Sequence, residues 1–258
     1  MNAKASREKI FLSVVIPCYN EEANLKKGVL NQVADYLVRQ NYSWEVIISD
    51  DGSSDNSRKL VQDFIKSHSG FVLLKNQHGG KPYAVWQGIE RAKGKITLFA
   101  DMDQSTPIRE VAKLLPYFNQ GFEVVIGSRG AKRKGAPFYR QLAALVFLSL
   151  RRLFLLPNIK DTQCGFKAFR TKTAQGLFPK LSVLENWQKA SGWRVTAFDV
   201  ELLYLAQKSG CKIKEVEVSW QDEDVATGKN RSFIKESRQM LEQIINVKKN
   251  EWKGKYEG

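Results

Sequence analysis

Short apolar runs alternate with amphipathic segments along the first two-thirds of this 258-residue chain. That alternation is the signature of a sheet wound with helices, an α/β fold whose strands are mostly parallel and buried on both faces. The run 12–16 (LSVVI), closed by Pro17, reads as the first strand. Asn20 is placed to cap the helix that follows, with Glu21 and Glu22 at its positive end. Leu25, Val29, Val33 and Leu37 continue that helix at helical spacing. A second strand at 45–49 ends in Asp50-Asp51-Gly52-Ser53, and Ser54 and Asp55 offer caps for an amphipathic helix through Ile65. Strands follow at 71–74, 96–100 and 123–126, with a helix near 83–92 between the first two.

After Gly130 the pattern changes. A basic loop leads to an apolar helix at 142–156, then a loop carrying DTQCGFK, a helix near 199–208 and a strand near 213–220. The last helix, about 232–249, is amphipathic and basic. With no repeat and no linker-like stretch, the chain divides into one domain, 1–230, and a basic C-terminal helical arm, 231–258.

Charge narrows the partners. Forty-one Lys+Arg against 27 Asp+Glu leaves +14, an excess that suits nucleic acid, phosphorylated small molecules or an anionic membrane. No nucleic-acid recognition motif accompanies it, and acidic strand ends would repel a phosphate backbone, so nucleic acid is set aside. Three scattered cysteines and two histidines argue against a disulfide framework or a zinc cluster and for a reducing, cytoplasmic setting. No run reaches the roughly 18–20 apolar residues that span a bilayer. Segment 142–156, interrupted by Arg151-Arg152, reads either as an interfacial helix that admits a lipid tail or as a buried core helix.

Polar clusters sit just after strands, where open α/β sheets bind ligands. Asp101-Met102-Asp103 closes the strand ITLFA, and two carboxylates at i and i+2 can converge on one hard cation such as Mg²⁺ or Mn²⁺. Asp50-Asp51 supplies a second acidic pair near the same sheet edge. Arg129 stands directly at a strand end, and Lys132, Arg133, Lys134 and Arg140 follow it, where guanidinium forks would suit phosphate oxygens. Gly79-Gly80-Lys81 would let backbone approach a phosphate, yet it lacks P-loop spacing, and there is no G-x-G-x-x-G.

Taken in order, SVVIPCYNEEANL, EVIISDDGSSDNS, GGKPYAVWQGIERAKGKITLFADMDQSTP, VVIGSR, DTQCGFKAF and WRVTAFDVELLYLAQKSGCKIKEVEVSW resemble family-two glycosyltransferases of the GT-A fold. The last three look like the polyprenyl-phosphate branch, the dolichyl-phosphate β-glucosyltransferases and mannose synthases. DTQCGFK favours the glucosyltransferases. The resemblance implies that Pro17, Tyr19, Glu21, Asp50 and Asp51 hold the nucleoside of a nucleotide-sugar, with Lys81 on the donor side. It implies that Asp101 and Asp103 bind Mg²⁺ or Mn²⁺, with Ser105 where relatives offer a third ligand. Arg129 and Arg140 would face the acceptor phosphate, and Lys229 or Arg231 would close over the site. Asp161 and Lys167 are candidates from the DTQCGFK loop. Some mannose-synthase-like relatives carry an acidic residue where Gly165 stands, so no catalytic base is assigned to this loop. The expected reaction is inverting transfer of a hexose, from UDP-glucose first and GDP-mannose second, to a polyprenyl phosphate. The alternative is a soluble acceptor. The expected place of work is the cytoplasmic face of a membrane, with the chain peripheral or paired with a membrane subunit.

Overall fold

A computed structural model describes residues 9–130, 155–189, 198–221, 223–225 and 233–256. Within them seven strands form one sheet: β1 (Leu12–Cys18), β2 (Trp44–Asp50), β3 (Phe71–Lys75), β4 (Ile96–Ala100), β5 (Val124–Ser128), β6 (Phe166–Arg170) and β7 (Ile213–Glu217). Their spatial order is β3-β2-β1-β4-β6-β5-β7. All neighbours run parallel except β6, which is antiparallel to both β4 and β5.

The central strands β1 and β4 are buried along their whole length because both faces are covered, whereas β7 (IKEVE) at the edge is only half-buried. On β1, Leu12, Val14 and Ile16 enter one core layer while Val15 enters the other; on β4, Leu98 and Phe99 divide the same way. Helices α1 (Glu22–Lys26), α2 (Val29–Leu37), α3 (Ser57–Ile65) and α4 (Lys81–Arg91) belong to the first half. Short turns α5 (Val111–Leu114) and α6 (Pro116–Asn119) precede β5; α7 (Thr171–Leu177), α8 (Phe198–Lys208) and α9 (Phe233–Trp252) follow β6. Gly88 lets α4 sit directly on β1, since a Cβ there would lie 2.3 Å from Val15 Cγ1.

Several local expectations are corrected. Pro17 does not end β1, which runs on to Cys18 against β2. Pairing with β4 stops at Val15, so the missing N–H of Pro17 falls where β1 has lost one neighbour. Asn20 does not cap a helix. It adopts φ 53° and accepts from the Ser54 N–H at 2.9 Å, tying the first strand end to the second. The helix of Leu25 and Val29 is broken at Gly28, whose φ of 79° is left-handed, giving α1 and α2. Asp55 does accept from the Ser57 N–H at the start of α3, at 2.9 Å.

The DTQCGFK segment is not all loop, because Phe166 and Lys167 open β6. Leu155 and Leu156 are buried in the core, so the end of the 142–156 segment is core. The rest of it, together with Arg140, Lys229 and Arg231, lies outside the described residues. α9 seats Ile244 and Val247, and Tyr256 beyond it, in the same core layer. Among the described residues no helix is long and apolar enough to cross a membrane.

Candidate active site

The carboxyl ends of β1, β2 and β4 bring Tyr19, Asp51 and Asp101 to one edge of the sheet. Asp50 is fully buried and turned to its own loop, accepting from the Gly52 and Ser53 N–H groups at 3.2 and 3.3 Å and from Arg58 Nε. It shapes the turn that Asp51 stands on. Asp51, also fully buried, accepts from the N–H groups of Gly79 and Gly80, each at 2.8 Å. Those bonds tie the glycine loop before α4 to the end of β2. Burial pushes the Asp51 carboxyl up despite these donors and His78.

His78 Nδ1 lies 2.9 Å from an Asp51 carboxylate oxygen and 3.0 Å from its carbonyl. Both are acceptors, so Nδ1 carries the hydrogen. The imidazole stacks on Tyr19 at 4.7 Å, and among the described residues its buried Nε2 has no partner. Glu21 is buried and accepts from Asn24 Nδ2; Pro17 stands in β1 opposite Ser49.

Asp101 and Asp103 follow β4. Lys81, the first residue of α4, places Nζ 2.5 Å from Asp101 Oδ1. Burial would lower the Lys81 ammonium, but Asp101 and then Asp199 outweigh it and hold the group protonated above its ordinary value. The same upward direction favours the neutral form of Asp103, a carboxylate. Burial and then the Asp101 charge push it up, with Asp224 adding to the effect, while the Ser105 N–H at 2.9 Å opposes. The Ser105 hydroxyl accepts from the Glu223 N–H at 3.2 Å and its carbonyl from the Gln221 N–H at 2.9 Å. Residues 219–221 and 223–225 thus strap across the Asp103 turn. Their outer end is held by Asn24, which donates to Asp224 and accepts from the Val225 N–H.

Gly165 closes the turn from the other side. A Cβ at this position would sit 2.0 Å from Asp101 Oδ2, so no side chain fits without moving that carboxylate. An acidic residue, as in the mannose-synthase-like pattern, has no room here. Two oxygen-donor carboxylates at one strand end, one of them destabilised by its neighbour's charge and the other already drawing an ammonium, suit a hard divalent cation that fills its shell with water and phosphate. Among the described residues no group of three or more acidic, His or Cys side chains is arranged as a complete metal cage.

Beyond β4 the charges are closed into pairs. Arg129 donates from Nε and Nη2 to Asp161 at 2.7 and 2.8 Å, its backbone N–H adds a third bond at 3.1 Å, and the guanidinium lies 5.7 Å from the Trp220 ring. Burial alone would raise Asp161, but this fork holds its carboxyl well below the usual range. Lys167 is fully buried on β6, donating to the Cys164 carbonyl and to Asp199 at 2.7 Å. Asp199 sits in the first turn of α8, where the helix dipole also favours a negative charge. Asp199, His78, Asp224 and Trp220 were not singled out by sequence. His78 had the clearest signal, as one of two histidines and adjacent to Gly79-Gly80.

The sequence model of glycosyl transferase family 2 matches residues 13–178. A dolichyl-phosphate β-glucosyltransferase of Dictyostelium discoideum is 34% identical over 261 residues, covering 93% of this chain and 75% of the relative. A dolichyl-phosphate β-glucosyltransferase of Homo sapiens is 33% identical, covering 85% and 73%. Among solved structures, glucosyl-3-phosphoglycerate synthase from Mycobacterium tuberculosis, in complex with Mn²⁺, UDP and glucosyl-3-phosphoglycerate, superimposes with a TM-score of 0.62 at 21% identity. It covers 92% of this chain and 80% of its own, a likeness of GT-A fold.

Proposed function

This chain belongs to glycosyl transferase family 2, among the dolichyl-phosphate β-glucosyltransferases, and from that premise we propose that it transfers glucose from UDP-glucose to a dolichyl or related polyprenyl phosphate with inversion. The observation that carries the reading is the Asp101–Asp103 turn with Lys81 Nζ 2.5 Å from Asp101. An anionic pair at the end of β4 meets an ammonium from α4, the combination of charges that a metal-bound diphosphate leaving group needs.

Asp101 and Asp103 would hold Mg²⁺ or Mn²⁺, which when bound neutralises charge on the departing nucleoside diphosphate. Lys81 would exchange Asp101 for a donor phosphate oxygen, one anionic partner for another, and so stay protonated. Tyr19, His78 and Asp51 form the wall on which the nucleoside would rest, with Asp51 fixing the glycine loop. Pro17, Glu21 and Asp50 support that wall from behind. Ser105 acts through the strap it binds.

The acceptor phosphomonoester has a second pKa near 6, so its oxygen is already anionic at neutral pH and needs placing more than deprotonating. Arg129, planted by Asp161 and Trp220, presents a fixed positive charge at the end of β5. Lys167 and Asp199 hold the backbone of residues 164–167 against Asp101. The lipid phosphate oxygen forms a bond to the anomeric carbon as the carbon–oxygen bond to UDP breaks on the opposite face, giving a β-linked product from an α-linked donor. By the family resemblance, Arg140 would join Arg129 at the acceptor phosphate, and Lys229 or Arg231 would close over the site on the donor side. A lipid-linked acceptor places the work at a membrane surface, whether the chain binds it directly or through a membrane subunit.

The test is radiolabel transfer into the organic phase from UDP-glucose and GDP-mannose separately, with a polyprenyl phosphate and Mn²⁺ or Mg²⁺. Metal-dependent label from UDP-glucose alone is the expected result. Label from GDP-mannose alone would move the assignment to a mannose synthase. No organic-phase label from either donor would favour a soluble acceptor.

A further inference from the structure

α9 has two apolar faces where a helix lying on a domain needs one. Ile244 and Val247 are buried, and the helix is clamped to α8 by Tyr204 bonded to Glu251 and, just beyond its end, by Tyr256 donating to Glu201 at 2.7 Å. On a second face, roughly a third of a turn away, Leu241, Ile245 and Trp252 are 41%, 63% and 84% exposed. At 3.6 residues per turn these three fall within roughly 40° of one another, a narrow outward stripe. Exposed Lys249 and Lys253 border it. Residues 233–256 carry six Lys+Arg against three Glu.

We propose that this stripe is a docking face for an anionic lipid bilayer, with Trp252 and Ile245 entering the headgroup boundary and Lys249 and Lys253 contacting the headgroups. The proposal rests on the lipid-acceptor reading above and adds where the chain meets the membrane. An apolar stripe beside cations is what an interfacial helix presents. Indole, with an apolar body and a polar edge, prefers that boundary. A second copy of the chain is a poor occupant, because it would set these lysines against their own counterparts on a molecule of net charge +14. The site lies close by. α8, to which α9 is clamped, carries Asp199 in its first turn.

The test is flotation of the full chain with phosphatidylcholine vesicles, with and without about a third phosphatidylserine, in the absence of donor and acceptor. The wild type is expected to float with the anionic vesicles. I245S/W252S should lower its partition about tenfold or more, and K249E/K253E should lower it about fivefold or more per lysine. Val38→Ser, an equally open apolar position on the far end of α2 at 71% exposure, should change nothing. Unchanged melting and unchanged transfer to a short, water-soluble prenyl phosphate would show that the variants are folded. A wild type that stays in the aqueous fraction, or an I245S/W252S variant that floats as well as it does, overturns the docking face. Vesicle binding without transfer to the short acceptor overturns the acceptor reading and leaves the docking face standing.

Discussion

The parallel and antiparallel halves of the sheet treat charge in opposite ways. At the ends of β1, β2 and β4, Asp51 and Asp103 are both pushed up by burial even though Asp50 and Asp101 beside them are paired with Arg58 and Lys81, and among the described residues His78 Nε2 has no partner. Around β6 and β5, charges are closed against each other, Arg129 on Asp161 and Lys167 on Asp199. The first arrangement costs stability and lowers it further for each charge added without a counterion. The second holds shape. An unsatisfied electrostatic field is what a cation and a diphosphate would complete, so the half that is worse for folding is the half suited to chemistry.

That contrast can be broken by substitution. Asp103→Ala should lower metal-dependent transfer by about 10³-fold or more while leaving the melting temperature unchanged or raised, because it removes an acid whose burial is unfavourable. A large loss of stability would place Asp103 with the closed pairs instead. Lys167→Met should do the reverse, costing about 3 kcal/mol of stability by leaving Asp199 unpaired, as read by denaturant unfolding. Gly165→Ala tests where the two halves touch. Its Cβ would press on Asp101, and a misplacement of about 1 Å in that carboxylate is expected to cost about 10²-fold in transfer with little change in melting.

The smallest effect is in pH. Asp161, with its carboxyl held low by Arg129, contributes stability that is present above its unfolded pKa near 4 and is lost as pH falls through its folded value. Asp103, with its carboxyl raised, binds its proton more tightly in the folded state, so its contribution worsens as pH rises from about 4 through the folded value. Asp161→Asn should therefore flatten the acid limb of the stability profile by about 1 kcal/mol, and Asp103→Asn should steepen it. Melting curves between about pH 3 and pH 7 would show a shared response in both variants if the contrast is false.

The parallel half was readable because its signals are local. A strand such as ITLFA needs only its own apolar residues, and its ending in Asp101 and Asp103 is written alongside it. β6 was not, because FKAFR carries a lysine at its second position, and that lysine becomes a core residue only through Asp199, 32 residues later. The break at Gly28 hid inside an unbroken apolar spacing, since Leu25 and Val29 sit at helical intervals whether or not the backbone turns between them. The strap over Ser105 comes from Gln221 and Glu223, more than a hundred positions on, and leaves no mark on the D-x-D motif itself. Asp50 and Asp51, adjacent and alike in sequence, divided their work because side chains alternate across a strand end: one braces the turn through Arg58, the other reaches the glycine loop.

α8 has a further consequence as a gauge of length. Asp199 at its start and Tyr204 along its flank are separated by five residues, about 7.5 Å of rigid rise. A rod of that kind transmits position without stretching. If α9 rests on a bilayer, this short helix fixes the spacing between that contact and Asp199 at the site. Only acceptors whose phosphate stands at the matching depth would reach the anomeric carbon, so α8 would act as a ruler that selects its partner by elevation before any atom of the sugar is read.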